Sequence, residues 1–272
     1  MRRRAFLGGA LAAGLVTRVA AGARRPAVAA HRGGALLWPE NSLLAYREAV
    51  ALGVDLVETD VHLTADDVPV VLHDATLDRT TTGSGPVRAH TLADLAALRL
   101  RAADGRPTAE RLPTLAQLLD LVGSSRAGLL LEIKAGPGRQ RYPGIEEKAL
   151  ALLRDHALLD RTVVMAFEPA TVLRVRELAP AVPTAALIAR GRERRDRLSG
   201  EEALDRARAL RATHVGIHFR LLDGAVVDAV QRAGMAVGAW TVNEEADIRH
   251  VLALGVDVLI TDRPDLALTL RP

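Results

Sequence analysis

The chain has 272 residues, of which 49% are hydrophobic, 25% are charged and none is cysteine. That is enough for one large core, and it excludes disulfides, thiolate metal sites and cysteine nucleophiles, so any metal must be held by oxygen or imidazole. The net charge is +3, but Arg2, Arg3, Arg4 and Arg18 lie in residues 1–23, a stretch without Asp or Glu; removing those four charges leaves −1, and nucleic acid is not an expected partner.

Residues 1–23 open with Met-Arg-Arg-Arg-Ala-Phe-Leu, run apolar from Gly8 to Val16 and end in Ala21-Gly22-Ala23. A basic head, a short apolar stretch and a small-x-small end make a secretory signal peptide. Arg3-Arg4-Ala5-Phe6-Leu7 further resembles the twin-arginine class, which implies an extracytoplasmic destination, periplasmic or secreted. The alternative is an uncleaved amphipathic or anchoring helix. The apolar run is short for a transmembrane span and no other segment approaches that length, so stable membrane insertion after cleavage is not expected.

From residue 27 onward, short apolar runs alternate with helix-like stretches, as a parallel sheet wrapped by helices requires. Strands are predicted at 28–33, 56–63, 68–73, 129–134, 162–167, 184–189, 214–219, 236–242 and 256–261. Helices are predicted at 42–51, 114–121, 146–156, 169–178, 201–211, 223–233 and 244–254, several closed by a glycine: Gly53, Gly123, Gly234 and Gly255. The pattern predicts a (β/α)8 TIM barrel over residues 24–272, of the usual size for that fold. Nine strands exceed the eight a barrel needs. The excess falls between Leu56 and His73, where Thr64-Ala65-Asp66-Asp67 is too short for a helix. Residues 75–112 break the rhythm and are read as a small subdomain inserted after the third strand.

Period-two alternation puts Glu58 and Asp60 on one face of their strand, and Glu132 and Lys134 on one face of theirs, near the carboxyl ends where barrel enzymes place their chemistry. If Glu58, Asp60 and Glu132 converge, they carry −3 against the single charge of Lys134. A divalent cation would complete the balance, and an all-oxygen set favours Mg²⁺ or Ca²⁺; salt bridges to the abundant arginines are the competing reading. His31 and His73 each end a predicted strand at the same rim, where two imidazoles suit acid and base work, although a lone strand-end histidine is usually structural. Arg32 is suited to clamping a phosphate and Gly33-Gly34 to close backbone approach, but each is equally compatible with a surface ion pair or an ordinary turn.

His31-Arg32-Gly33, Pro39-Glu40-Asn41-Ser42, Glu58-Thr59-Asp60-Val61, His73-Asp74 with Leu77-Asp78-Arg79-Thr80-Thr81, Glu132-Ile133-Lys134 and Trp240-Thr241-Val242-Asn243 stand together in the order and spacing of one family. The set resembles the glycerophosphodiester phosphodiesterases over nearly all of residues 27–265. That resemblance implies metal-dependent hydrolysis of glycerophosphodiesters to an alcohol and glycerol 3-phosphate. It implies a divalent cation on Glu58, Asp60 and Glu132, acid and base in His31 and His73, and phosphate contacts from Arg32 and Lys134. It also places Trp240 near the ligand, although a plain core tryptophan fits that position too. Glu40 and Asn41 are expected to support the site from outside it. His62 lies on the Asp60 face but matches no position of the pattern, and the remaining histidines are read as structural or exposed. An aromatic content of 3% and the lack of a membrane-binding amphipathic stretch favour a soluble substrate over a lysolipid. The intact acid, base and metal set favours an enzyme over a phosphodiester-binding protein.

Overall fold

A computed structural model describes residues 25–189 and 198–272; the segment read as an export signal lies outside the described residues. Nine strands form one sheet: β1 (Ala27–Ala30), β2 (Leu56–Leu63), β3 (Pro69–Val71), β4 (Gly128–Ile133), β5 (Thr162–Ala166), β6 (Thr184–Ile188), β7 (His214–His218), β8 (Ala236–Trp240) and β9 (Val258–Thr261). Eight of them pair in parallel, and β1 bonds to both β2 and β9, which closes the sheet into a barrel. The ninth, β3, runs antiparallel against the upper part of β2, with Val61 opposite Val71. It is therefore the supernumerary strand of the sequence pattern, a short flap on the barrel wall.

Helices flank the barrel: α1 (Leu43–Leu52), the short α2 (Leu92–Leu95), α3 (Leu115–Gly123), α4 (Ile145–Asp155), α5 (Pro169–Leu178), α6 (Gly200–Ala209), α7 (Gly224–Arg232), α8 (Glu245–Ala253) and α9 (Pro264–Leu270). Side-chain caps fix the starts of several. Ser42 accepts from Ala45 N ahead of α1, and Thr114 and Gln117 form a reciprocal capping box on α3. Gly53, Gly234 and Gly255 take the left-handed conformation just past their helices, as expected. Gly123 does not: it is the last residue of α3, which Ser124 caps in a right-handed conformation. The seven-residue α9, opened by Pro264, had no periodic signal in the sequence. Among the described residues no helix is long and apolar enough to cross a membrane.

Two layers of side chains explain where the site falls. Outward residues such as Val28, Val57, Leu129 and Val237 pack under the helices. Inward residues begin apolar at the amino ends of the strands, with Ala29, Leu56, Leu130, Val163, Ala185 and Ile260 in one cluster. Two residues further along, the same inward rows turn polar: Leu56 is followed by Glu58 and Asp60, and Leu130 by Glu132. The parallel register sets Asp60 opposite Glu132, so the charged rows coincide at the carboxyl-end rim.

Residues 75–112 form a small lobe with its own apolar centre, in which Leu77, Val87, Leu95, Leu100 and Leu112 close over Val70 and Leu72 of the flap.

Candidate active site

The first strand stops at Ala30, three residues earlier than its apolar pattern predicts. His31–Gly33 turn sharply instead, with Arg32 at φ 50° and Gly33 at φ 81°. A side chain on Gly33 would sit 2.7 Å from Ala45 Cβ of α1, so glycine is what allows the turn to lie against that helix. The turn aims His31 and Arg32 across the barrel mouth, and the Arg32 backbone N–H donates to Glu58 Oε2 at 2.9 Å.

Glu58, Asp60 and Glu132 are all buried, and one oxygen of each lies within 4.8 Å of the others. Lys134, just past β4, donates to Glu132 Oε1 at 2.7 Å and lies 3.3 Å from Asp60 Oδ1. Arg32 Nε lies 3.5 Å from Asp60 Oδ2. Asp60 is fixed further by Asn41 Nδ2 at 3.1 Å, and Asn41 in turn by the buried Tyr46 hydroxyl at 2.6 Å. Burial and then the neighbouring Asp60 push the Glu58 carboxyl up to about 8. Burial also pushes Asp60 up, but Lys134, His73 and Arg32 outweigh it and hold Asp60 well below the usual carboxylate range. Burial raises Glu132 as well, against the pull of Lys134. Lys134 and Arg32 pair with Asp60 and Glu132, whereas Glu58 is met by the Arg32 backbone N–H and by His31 Nε2 at 4.0 Å, so the acids are partly ion-paired and the arrangement is also compatible with a bound cation.

Each rim histidine is tied to its own carboxylate. His31 Nδ1–H donates to Asp262 Oδ1 at 2.7 Å, leaving Nε2 facing the site, 4.0 Å from Glu58 Oε2. Burial lowers the imidazole's basicity, but Glu58 and Asp262 outweigh it and hold His31 above its ordinary value. Asn243 holds Asp262 from both sides: its Nδ2 donates to Asp262 Oδ2 at 2.7 Å, and its Oδ1 accepts from Asp262 N at 2.9 Å. His73 Nδ1–H donates to Asp74 Oδ1 at 2.6 Å, and its pKa is lowered, chiefly by burial. His62 is no ligand. A carbonyl oxygen can only accept, so its Nε2–H donates to His73 O at 3.1 Å while Nδ1 accepts from Tyr142, and it braces the loop that carries His73.

The opposite wall of the cleft is apolar and aromatic, formed by Met165, Phe167, Leu187, Trp240 and Ile260. Trp240 makes edge contacts with Phe167 and His218 at centroid distances of 5.5 and 5.3 Å, and it both lines the cleft and packs against the apolar cluster inside the barrel. All eight site residues expected from the sequence thus gather at one end of the barrel. Sequence reasoning gave no role to Asp262, Asp74 or Asn243 and none to Phe167. An acid immediately after a strand-end histidine, and another immediately after the last strand, were the available signals.

An inward cluster of buried carboxylates with two carboxylate-held imidazoles, at the carboxyl ends of eight parallel strands, defines a TIM-barrel enzyme. Residues 31–266 match the model of the glycerophosphoryl diester phosphodiesterase family. The chain is 32% identical over 247 residues to a glycerophosphodiester phosphodiesterase of Caldanaerobacter subterraneus, covering 89% of this chain and 96% of the relative. It is 32% identical over 252 residues to a glycerophosphodiester phosphodiesterase of Bacillus subtilis, covering 87% and 83%. Its fold superimposes with a TM-score of 0.77 on an Oleispira antarctica phosphodiesterase solved with the product sn-glycerol-3-phosphate, at 27% identity over 90% of this chain and 96% of the other. The protein belongs to the glycerophosphoryl diester phosphodiesterase family and is a phosphoric diester hydrolase.

Proposed function

We propose that the protein hydrolyses glycerophosphodiesters to an alcohol and glycerol 3-phosphate, using a divalent cation, Mg²⁺ or Ca²⁺, with His31 and His73 as acid and base. The observation that carries this is the convergence of three buried carboxylates between two imidazoles whose Nδ1 atoms are already committed to Asp262 and Asp74. The residues fit a hard cation: Asp60 Oδ1 is buried with no hydrogen bond, its ion-pair neighbour Lys134 lying 3.3 Å away, and the donor set is all oxygen. Glu58, Asp60 and Glu132 would hold the ion, which when bound supplies Lewis-acid stabilisation to phosphoryl oxygens. The product held by the Oleispira relative supports the choice of substrate class.

The chain's own groups divide the remaining work. Arg32 and Lys134 supply fixed positive charge beside the carboxylates, where a phosphodiester gathers negative charge as it reacts. With Nδ1–H donating, each histidine presents Nε2 to the cleft. One takes the proton of the attacking hydroxyl and the other returns one to the departing alcohol. Trp240 and its aromatic neighbours offer an apolar surface to the carbon skeleton of the substrate. The signal-like residues 1–23 support an extracytoplasmic location, and their removal in an exported fraction, lost on Arg3→Lys with Arg4→Lys, tests it.

Release of glycerol 3-phosphate from glycerophosphocholine tests the reaction. Activity should vanish with EDTA, return with Mg²⁺ or Ca²⁺, and collapse in His31→Ala and His73→Ala without loss of fold. Near-normal turnover in either variant, or indifference to EDTA, would overturn the mechanism.

A further inference from the structure

One side chain of the inserted lobe reaches the site, and it does so with an unusual set of partners. Arg79 donates Nε–H to Asp74 Oδ2 at 2.7 Å and Nη2–H to Asp74 Oδ1 at 3.0 Å. Its other edge donates from Nη1 to Glu40 Oε2 and from Nη2 to Glu40 Oε1, both at 2.8 Å. The two forks engage oxygens already in use. Asp74 Oδ1 also holds His73 Nδ1, and Glu40 Oε1 also accepts from Arg32 Nη1 at 3.0 Å. One guanidinium therefore closes a continuous chain from His73 through Asp74, Arg79 and Glu40 to Arg32.

The lobe holds the backbone beneath that head rigidly. Leu77, Thr80 and Thr81 around Arg79 are buried. Thr81 Oγ1 donates to Leu77 O at 2.7 Å, and Arg101 binds the carbonyls of both Thr80 and Thr81. The Arg79 side chain is itself 47% exposed, and ion pairs so open to water contribute little to stability. A fixed backbone under a doubly forked but half-exposed head points to a role in placing its partners, because stabilising the fold would call for burial.

We propose that Arg79 is a positioning residue through which the inserted lobe fixes His73 and Arg32 relative to each other. The inference rests on the roles given above to those two groups. Only a planar guanidinium can serve two carboxylates with two parallel bonds each; a lysine ammonium replaces the charge but not the forks. Two arms follow, one through Asp74 acting on turnover by way of His73, the other through Glu40 acting on substrate binding by way of Arg32.

The test is steady-state kinetics on glycerophosphocholine for Arg79→Gln and Arg79→Lys, alone and combined with Asp74→Asn and with Glu40→Gln, alongside thermal melting. Arg79→Gln should melt within a few degrees of wild type, lose about tenfold or more in kcat and raise KM, since small displacements of reacting groups are amplified in rate. In the Asp74→Asn background it should cost no further kcat, and in the Glu40→Gln background it should raise KM no further. Arg79→Lys should recover part of the loss only. Kinetics within twofold of wild type for Arg79→Gln, or additive losses in both backgrounds, would overturn the proposal. Should Arg79→Gln not fold, full wild-type kinetics in Arg79→Lys would overturn it equally. His73→Ala separates the two levels: if it stays active, the role of His73 fails, whereas an inactive His73→Ala beside an unimpaired Arg79→Gln removes only the role of Arg79.

Discussion

Asp262→Asn removes one charge and almost no volume from the pair that orients His31, and the surrounding bonds fix what must follow. Asp262 now accepts from His31 Nδ1 on one oxygen and from Asn243 Nδ2 on the other, whereas an asparagine brings one acceptor and one donor. If its oxygen faces His31, its amide meets the Asn243 amide, donor against donor. If it is flipped, its amide faces Nδ1 and drives the imidazole to the Nε2–H tautomer, which cannot take a proton at the atom that faces the site. A bond to a charged group is worth about 1.5–3 kcal/mol, and each 1.36 kcal/mol is about tenfold in rate. Loss of the correct tautomer in a carboxylate–histidine pair costs up to about 10⁴-fold. The expected outcome is a loss of kcat between about 10-fold and 10⁴-fold in a protein that melts near wild type, with the His31 tautomer read by ¹⁵N NMR of the imidazoles. A folded variant within threefold of wild-type kcat would refute the orienting role of Asp262.

Two further expectations concern the frame around the site. Gly33→Ala places a Cβ 2.7 Å from Ala45 Cβ at a backbone φ of +81°; left-handed strain and overpacking together should cost about 2–4 kcal/mol, read by urea unfolding, and an unchanged midpoint would show that α1 can move away. His62 and His214 are pushed down to about 4, each chiefly by burial, so the unfolded chain binds protons that the folded one refuses. The contribution of these two histidines should be constant above about pH 6.5 and turn destabilising as the pH drops toward 4; His62→Gln should flatten the acid-side slope, and an equal slope in the variant would exclude His62 as a source.

The barrel was legible because its strands announce themselves locally. Runs such as Leu129–Leu131 are apolar on both faces, as strands buried between a core and a helix layer must be. What local pattern does not encode is the pairing partner. Val70-Val71-Leu72 reads as one more barrel strand, and only the register of Val61 with Val71 reveals it as an antiparallel flap. The turn after β1 was misread for a similar reason. The apolar run Val28–Ala30 leads straight into His31 and Arg32, and the break is set by Gly33 lying against Ala45 of α1, a packing contact that strand periodicity does not encode. The lobe of residues 75–112 carries too little periodicity for its interior to be read at all.

The same distinction separates the site residues that sequence identifies from those it does not. Glu58, Asp60 and Glu132 stand out because a carboxylate amid a buried apolar strand demands an explanation. Asp262 demands none, since an acid just after a strand and two positions ahead of a proline looks like ordinary turn chemistry. Its meaning comes from His31, 231 positions away in the chain, and closure of the barrel between β1 and β9 is what makes the two neighbours. Arg79 is the same case on a smaller scale, an arginine in a polar stretch until the lobe folds over the rim. The groups that accumulate charge are thus placed by strands, while those that orient them arrive from loops, so the chemistry can be read from periodicity and its alignment only from the closed fold.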